Sequence, residues 1–289
     1  MNTTENLTPN LAPKSIKNQL LDSKKLKLKY LSLYKKNKDL ISSLNYAKVI
    51  QNGVLPKERH FKKLFKDYFI LYESQSYVSG DFYWIGEVNN HHVFAVGDCT
   101  GHGVPGALLT MLAQSFLNYI ILGKQIHNPS EILKEFDKKF IETFSNDDEG
   151  TFHNDWIDIA LCCYDKEKNT LHFAGAKRKI LIVSNNQSYL YAGSNYPIGG
   201  WQLEKNRTFD LHTIEIQPND IVYLGSDGFQ DQIGGEKYKK FGSKNLHKLL
   251  TQISSLSSEE QKTQLKTTFE NWKSSSEQLD DVCIMGIRF

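Results

Sequence analysis

Residues 80–98 read GDFYWIGEVNNHHVFAVGD, two runs of aromatic and β-branched residues on either side of Asn89-Asn90. Such runs predict two strands, and tandem asparagine suits a tight hairpin turn. A two-residue turn pairs positions whose numbers add up to 179, so Asp81 stands opposite Asp98. Opposed residues have Cβ atoms about 4.5–5.5 Å apart, and like charges so placed destabilise a sheet. The hairpin therefore predicts a shared proton or a bound divalent cation between the two aspartates.

The composition is that of a soluble protein. A hydrophobic fraction of 39% in 289 residues allows one large domain with an appendage. The net charge of +2 is uneven, because residues 1–44 carry +6 and the remainder −4. The sequence has no run of 18 apolar residues, no apolar signal peptide and no CxxC spacing among its four cysteines. We expect a cytoplasmic protein with reduced thiols and with neither membrane nor nucleic acid as a partner.

The first 55 residues differ in sequence pattern from the rest. Residues 1–15 predict a disordered tail, and residues 16–55 predict a helical segment with an apolar seam in steps of four and three. The seam, interrupted by one asparagine, consists of Leu26, Tyr30, Leu33, Asn37, Leu40, Leu44 and Ala47. A second apolar stripe leaves two interpretations open. The segment is either a coiled coil that forms a homodimer through residues 20–51 or an amphipathic helix packed on its own domain.

Residues 56–289 predict one domain of short strands interrupted by helices. The predicted strands are 68–72, 81–88, 91–98, 157–165, 170–176, 179–184, 188–192, 208–216, 221–227 and 282–288. The predicted helices are 105–122, 130–144, 243–253 and 259–272. Hairpins followed by helices and then by hairpins again are typical of an α+β protein whose antiparallel sheets are covered by helices.

Further acidic residues stand at strand ends. Asp227 ends one predicted strand and the pair Asp280-Asp281 precedes the last, so they become neighbours if these strands run antiparallel. Oxygen ligands without histidine or cysteine favour Mg²⁺ or Mn²⁺. The glycines of residues 101–106 also match a dinucleotide fingerprint, but the flanking hairpin is not the βαβ unit that the fingerprint requires. We interpret these glycines as a sharp turn that leaves a carbonyl free to face a metal.

Several segments occur in the order seen in bacterial metal-dependent serine phosphatases. They are residues 78–84 (VSGDFYW), 97–107 (GDCTGHGVPGA), 156–160 (WIDIA), 173–176 (FAGA), 197–199 (PIG), 226–228 (SDG) and 280–282 (DDV), with the lead-in 46–56 (YAKVIQNGVLP). The chain thus resembles the stage II sporulation protein E-like branch of the protein phosphatase 2C (PPM) superfamily over residues 45–289. The resemblance implies an α-β-β-α sandwich of two antiparallel sheets flanked by helices, with two Mn²⁺ or Mg²⁺ ions at one sheet edge.

The resemblance also implies the site residues. Asp98 would bridge both metals, and a water activated between the two ions would hydrolyse the phosphate ester. The implied metal ligands are Asp81, Asp98, the carbonyl of Cys99, Asp227 and Asp280, with Asp281 as the alternative to Asp280. His102 either protonates the leaving serine oxygen or is a loop histidine bonded to backbone. Lys177 and Arg178, which depart from the family pattern, either contact a phosphate or are solvated turn charges.

The sequence therefore predicts a metal-dependent phosphatase that acts on phosphoserine or phosphothreonine. The resemblance suggests a regulatory protein similar to an anti-sigma-factor antagonist as its substrate. One alternative is a catalytically silent dimeric scaffold that binds a phosphoprotein, and another, resting on the glycines alone, is a nucleotide-binding oxidoreductase. A further hypothesis makes residues 20–55 a helical switch that orders the metal site.

Overall fold

The computed structural model of the protein describes residues 14–144, 154–200 and 207–289. Seven α-helices occur in these ranges, and a π-helical turn at Asn118–Gly123 continues the third. The helices are α1 (Lys14–Val54), α2 (Glu58–Leu64), α3 (Gly103–Leu117), α4 (Pro129–Phe144), α5 (Gly228–Asp231), α6 (Ser243–Ile253) and α7 (Ser258–Lys273). The predicted tail of residues 1–15 lies outside the described residues except at Lys14 and Ser15, which begin α1.

Thirteen strands occur in the described ranges. They are β1 (Asp67–Glu73), β2 (Asp81–Val88), β3 (His91–Cys99), β4 (Trp156–Asp165), β5 (Thr170–Ala176), β6 (Lys179–Ser184), β7 (Gln187–Ala192), β8 (Ile198–Gly199), β9 (His212–Glu215), β10 (Ile221–Gly225), β11 (Ile233–Gly234), β12 (Lys239–Lys240) and β13 (Val282–Arg288). One antiparallel sheet has the order β1-β13-β10-β6-β7, which we call sheet A. Sheet B has the order β2-β3-β4-β5-β9, with β8 paired to β4. The short strands β11 and β12 form a separate ribbon.

The chain divides into two units, of which the larger spans Lys48–Phe289. Within that unit three apolar clusters separate four layers. Phe116 of α3 and Phe136 of α4 pack on one face of sheet B. Phe94 of sheet B and Met285 of sheet A belong to a cluster between the two sheets. Leu265 of α7 packs on the outer face of sheet A. The predicted α-β-β-α sandwich is confirmed.

The smaller unit ends at Ala47 and contains most of α1. The second apolar stripe of this helix consists of Leu28, Leu31, Tyr34 and Ile41. Most large side chains of both stripes are exposed to solvent in the isolated chain, whereas Ile41, Leu44 and Ala47 are half-buried. Large side chains at least half exposed there are Leu26, Leu28, Tyr30, Leu31, Leu33, Tyr34 and Leu40.

Among the described residues, one segment is long and apolar enough to cross a membrane, namely Gly103–Gly123. Its side chains at Ala113, Leu117 and Ile121 are fully buried in the cluster beneath sheet B. The segment therefore occupies the position of a core helix.

Some element boundaries differ from the sequence predictions. The strand predicted over 208–216 is confined to His212–Glu215, because side chains bind the backbone before it. The Tyr196 hydroxyl accepts from the Thr208 amide at 2.7 Å, and the Ser194 hydroxyl accepts from the Asp210 amide at 3.0 Å. The strand predicted over 221–227 ends at Gly225, because Asp227 takes a helical conformation before α5. The helix predicted over 105–122 becomes π-helical at Asn118.

Candidate metal centre

The hairpin of β2 and β3 places Asp81 directly opposite Asp98, as the turn predicted. Asn89 and Asn90 have φ of 47° and 66°, the left-handed pair that a two-residue hairpin turn requires. Asp98 has the same strand parity as Phe94 and Val96, which belong to the cluster between the sheets. The two carboxylates therefore stand at the end of the inter-sheet core.

A third aspartate continues this row on the neighbouring strand. Asp158 of β4 pairs with Asp98 of β3, so Asp81, Asp98 and Asp158 are neighbours on adjacent strands of sheet B. The Oδ1 atom of Asp158 is buried without a hydrogen-bond partner among the described residues. Asp158 lies in the motif of residues 156–160 but was not among the predicted site residues. The strand parity that it shares with Ala160 and Cys162 was the available signal.

Sheet A contributes Asp227 and Asp280. Asp227 follows β10 and Asp280 precedes β13, and these two strands pair antiparallel, as predicted, with Gly225 opposite Ile284. Gly228 allows the close approach, because a Cβ there would lie 2.0 Å from the carbonyl oxygen of Asp281. Any larger residue at position 228 would therefore force the chain after Asp227 away from β13.

Arg178 lies among these carboxylates. Its Nη2 contacts Asp98 Oδ2, lies 3.1 Å from Asp227 Oδ2 and lies 3.7 Å from Asp158 Oδ2. The side chain is only 10% exposed. Burial lowers the pKa of Arg178, but the carboxylates, Asp98 foremost, raise it above its ordinary value. The arginine is thus a buried cation and not the solvated turn charge that the sequence analysis allowed.

Burial and crowding raise the pKa values of the two hairpin acids. Burial raises the pKa of Asp98 to about 8 against the lowering effect of Arg178, and the charges of Asp227, Asp280 and Asp158 add to the rise. The pKa of Asp81 is raised well above its ordinary value by burial and then by the charge of Asp98.

A serine of sheet A holds Asp81 in place. The Ser226 hydroxyl donates to Asp81 Oδ2 and accepts from the Cys283 amide at 2.9 Å. Ser226 thereby fixes one oxygen of Asp81 while joining the two sheets. Ser226 lies in the motif of residues 226–228, but no role was predicted for it.

The two adjacent acids before β13 have different surroundings. Asp281 is buried, and its carboxylate oxygens each accept a backbone amide, from Gln75 and from Gly80, both at 2.7 Å. Asp280 is partly exposed, and burial, the charge of Asp227 and the charge of Asp281 raise its pKa. The charge of His102 opposes this rise in the pKa of Asp280. We expect Asp280 to be the ligand and Asp281 to hold the loop before β2.

The glycine-rich stretch after β3 forms a compact turn. A Cβ on Gly106 would lie 2.2 Å from the carbonyl oxygen of Gly101 and 2.9 Å from the Cα of Gly80, so the start of α3 packs directly on the start of β2. The Cys99 amide donates to the Gly80 carbonyl at 3.1 Å. Burial raises the pKa of the Cys99 thiol well above its ordinary value, so this thiol is a poor nucleophile. His102 is exposed at the start of α3.

The donor set fits hard divalent cations. It contains carboxylates and a buried oxygen of Asp158 without a partner. The guanidinium of Arg178 is not a metal ligand, but it shows that a positive charge is accommodated among these acids. Within the described ranges, no group of three or more acidic, histidine or cysteine side chains is assembled around a single point at metal-binding distance. The acids instead surround Arg178.

A cavity of about 550 Å³ opens beside the acids. Asp158, Arg178 and Asp227 line one end of it, and the space continues between sheet A and α6. Two lysines, Lys177 and Lys179, also line it, together with His247 and apolar residues such as Leu190 and Leu246. The acid cluster is therefore open to a ligand with both charged and apolar parts.

Comparison with solved structures shows the same fold in bacterial phosphatases. The SiaA-PP2C domain of Pseudomonas aeruginosa is 30% identical, with a TM-score of 0.80 over 88% of this chain and 98% of its own. The PP2C phosphatase domain of SpoIIE from Bacillus subtilis, solved with a fragment of its regulatory domain, is 15% identical. Its TM-score is 0.63 over 77% of this chain and 63% of its own. RsbX in complex with magnesium gives a TM-score of 0.51 at 12% identity, over 77% of this chain and 94% of its own.

A comparison with curated protein sequences gives no match. The sequence profile of stage II sporulation protein E (SpoIIE) matches residues 89–289, which include β3, α3 and the acids of both sheets apart from Asp81. The profile covers well over half of the chain, and the SiaA domain extends the similarity over nearly all of it. The chain belongs to the SpoIIE family of PP2C-type phosphatase domains.

Proposed function

We propose that the protein is a Mn²⁺- or Mg²⁺-dependent protein serine/threonine phosphatase that hydrolyses phosphoserine or phosphothreonine on a regulatory protein. The observation that carries the proposal is the convergence of Asp81, Asp98 and Asp158 from sheet B with Asp227 and Asp280 from sheet A. Buried carboxylates that repel one another need a cation, and oxygen donors select a hard one.

Each acid has a place in the proposed centre. Asp98 stands centrally, between Asp81 and Asp158 on its own sheet and within reach of the charges of Asp227 and Asp280. Asp81, Asp98, Asp227, Asp280 and the carbonyl of Cys99 would hold two divalent ions. Bound there, the ions supply an activated water and positive charge for the phosphoryl oxygens.

The remaining residues orient groups or move a proton. Ser226 fixes one oxygen of Asp81, and the two amides bound by Asp281 fix the loop before it. His102 lies exposed at the start of α3, and we infer that it gives a proton to the leaving serine oxygen. All four cysteines are free and buried, which favours a reducing, cytoplasmic compartment and a mechanism without a cysteine nucleophile.

A protein substrate is supported by the open cavity and by the relatives. The structural neighbours include the RsbU and RsbW domains of a Mycobacterium tuberculosis protein and a bacterial stressosome component. The stressosome is described as a modular system that controls secondary messenger signalling. We infer that the basic and apolar lining beside Asp227 receives the chain that flanks the phosphorylated residue.

The test is hydrolysis of p-nitrophenyl phosphate and of a phosphoserine protein with Mn²⁺, with Mg²⁺ and with EDTA. We expect metal-dependent turnover that falls at least about a thousandfold in Asp98→Ala, because the central ligand is lost. Asp39→Ala is the matched control, since this aspartate lies exposed on α1, and it should retain the wild-type rate. A folded protein without metal-dependent turnover that still binds a phosphoprotein would instead support the silent scaffold.

A further inference from the structure

Arg178 is a positive charge built into the acid cluster. Its Nη2 reaches an oxygen of Asp98, an oxygen of Asp227 and, at 3.7 Å, an oxygen of Asp158, so one guanidinium joins acids of both sheets. Among the described residues, no other lysine or arginine forms an ion pair with these three acids. Without this charge, their mutual repulsion would be uncompensated in a buried setting.

The backbone of Arg178 is fixed, whereas its side chain is held mainly by the acids. The Arg178 carbonyl accepts from the Gly193 amide at 3.0 Å, and the preceding Lys177 amide donates to the Ser194 carbonyl at 2.8 Å. The Nε of Arg178 is buried without a hydrogen-bond partner in the described ranges. The guanidinium therefore depends on Asp98 and Asp227 for its position, and the side chain lines the open cavity.

The guanidinium and a divalent ion need the same oxygen atoms. Asp98 Oδ2 and Asp227 Oδ2, which Nη2 contacts, belong to the acids to which the proposed function gives the central metal roles. A hard cation binds carboxylate oxygens at about 2.0–2.6 Å, which leaves no room for an arginine nitrogen in the same place.

We propose that Arg178 is an internal competitor of the catalytic metals: it holds the acid cluster together without metal, and metal binding requires its displacement from Asp98 and Asp227. This inference rests on the proposed function, because it concerns metal loading of that site. It makes Arg178 a positioning residue that lowers the metal affinity of the protein while it stabilises the metal-free fold.

The experiment measures Mn²⁺ affinity by calorimetry and the thermal midpoint of the full chain in EDTA at one pH. In Arg178→Gln we expect Mn²⁺ to bind about tenfold more tightly or better, because the competing cation is gone. The thermal midpoint in EDTA should fall, since the acids then repel one another. Arg178→Lys, which keeps a charge but not the planar fork, should give an intermediate affinity.

Arg207→Gln is the matched control. Arg207 is also buried and pairs with an aspartate, Asp137, at 3.2 Å, but outside the acid cluster. This variant should lose thermal stability both with and without Mn²⁺ and should keep the wild-type Mn²⁺ affinity. The control separates competition for metal from the general loss of a buried ion pair.

The outcomes separate the two proposals. Unchanged or weaker Mn²⁺ binding by both Arg178 variants, in an enzyme that still hydrolyses phosphate esters with metal, would overturn the competitor role alone. If Arg178→Gln does not fold in EDTA, the affinity of Arg178→Lys decides in the same way. Absence of Mn²⁺ binding by the wild type and by every variant would overturn the phosphatase proposal and this inference with it.

Discussion

Asp98 carries the charge that the fold accommodates least easily. It stands between two other aspartates on its sheet, and its pKa is raised to about 8. The cause is burial in the first place and the neighbouring carboxylates in the second. A group with a raised pKa stabilises the fold while it is protonated, and that contribution is lost as the pH rises from 3.8 towards 8.

The stability of the metal-free protein should therefore fall as the pH rises. In EDTA, we expect the wild-type thermal midpoint to fall as the pH rises from 5 to 9. Asp98→Asn, which cannot ionise, should exceed the wild type by about 5 °C or more at pH 9, and by much less at pH 5. Differential scanning calorimetry at both pH values checks this. An Asp98→Asn protein less stable than the wild type at pH 9 would contradict it.

Among single residues, the sequence predicted those site positions whose contacts are made by residues nearby in the chain. The pair Asp81 and Asp98 followed from a two-residue turn, because a hairpin fixes its own register. Asp158 was not assigned, because the pairing of β3 with β4 joins segments separated by α3 and α4. The position of Arg178 was left open, because its burial depends on contacts of the turn before β6 with the distant Gly193.

The end of helix α1 is hydrogen-bonded to the loop that precedes Asp81. Gln51 Nε2 donates to the Ser79 carbonyl at 2.6 Å, and Gln51 Oε1 accepts from the Ser79 amide at 3.0 Å. Both residues are buried. Both residues belong to the larger unit, and we propose that the last turn of α1 orders the metal site through this contact.

Replacing Gln51 by alanine removes both hydrogen bonds and leaves the buried Ser79 amide without a partner, whereas the Ser79 carbonyl keeps the Thr110 hydroxyl at 3.1 Å. Such a loss costs about 1–3 kcal/mol. We therefore expect Gln51→Ala to lower the Mn²⁺ affinity at least about tenfold, as measured by calorimetry. The control is Asn52→Ala, the exposed neighbour, which should bind like the wild type. Equal affinities for both variants would show that the helix end does not act on the site.

The exposed stripes of α1 support a proposal of dimerisation through a second copy of the helix. We expect the double variant Leu33→Asp and Leu40→Asp to raise the dissociation constant of the dimer about a hundredfold or more, since it places charges in the heptad seam. The matched pair Leu28→Asp and Leu31→Asp lies on the other stripe and should leave the dimer intact. Analytical ultracentrifugation distinguishes them, and a wild type that stays monomeric at high concentration would contradict the coiled coil.

Elements with strong periodicity were predicted within a few residues, and weak ones were missed. Strands β2, β5, β6 and β13 and helix α6 have the predicted bounds. The short helix α2 and the two-residue strands β8, β11 and β12 contain too few residues for a pattern to show. The segment before His212 looked like a strand, but hydroxyl groups of Ser194 and Tyr196 take the place of a partner strand there.

For the unit Lys48–Phe289 as a whole, the α+β class followed from the order of hairpins and helices. The stacking of two sheets between helical layers came from family resemblance, because alternation in one strand does not reveal which face meets another sheet. In the structure, Phe94 of sheet B and Met285 of sheet A both belong to the apolar cluster between the two sheets, so these faces are the ones that pack together. The site stands at the end of that layer, so its composition depends on how both sheets dock.

The division of the carboxylates between two sheets has a kinetic consequence. A chain in which β2, β3 and β4 have paired, but sheet A has not yet docked, presents only part of the ligand set. A divalent ion then has no complete site to bind until the two sheets dock, so we expect its binding energy to stabilise mainly the native state. Manganese should accordingly lengthen the lifetime of the native state by slowing unfolding, while it leaves the folding rate nearly unchanged.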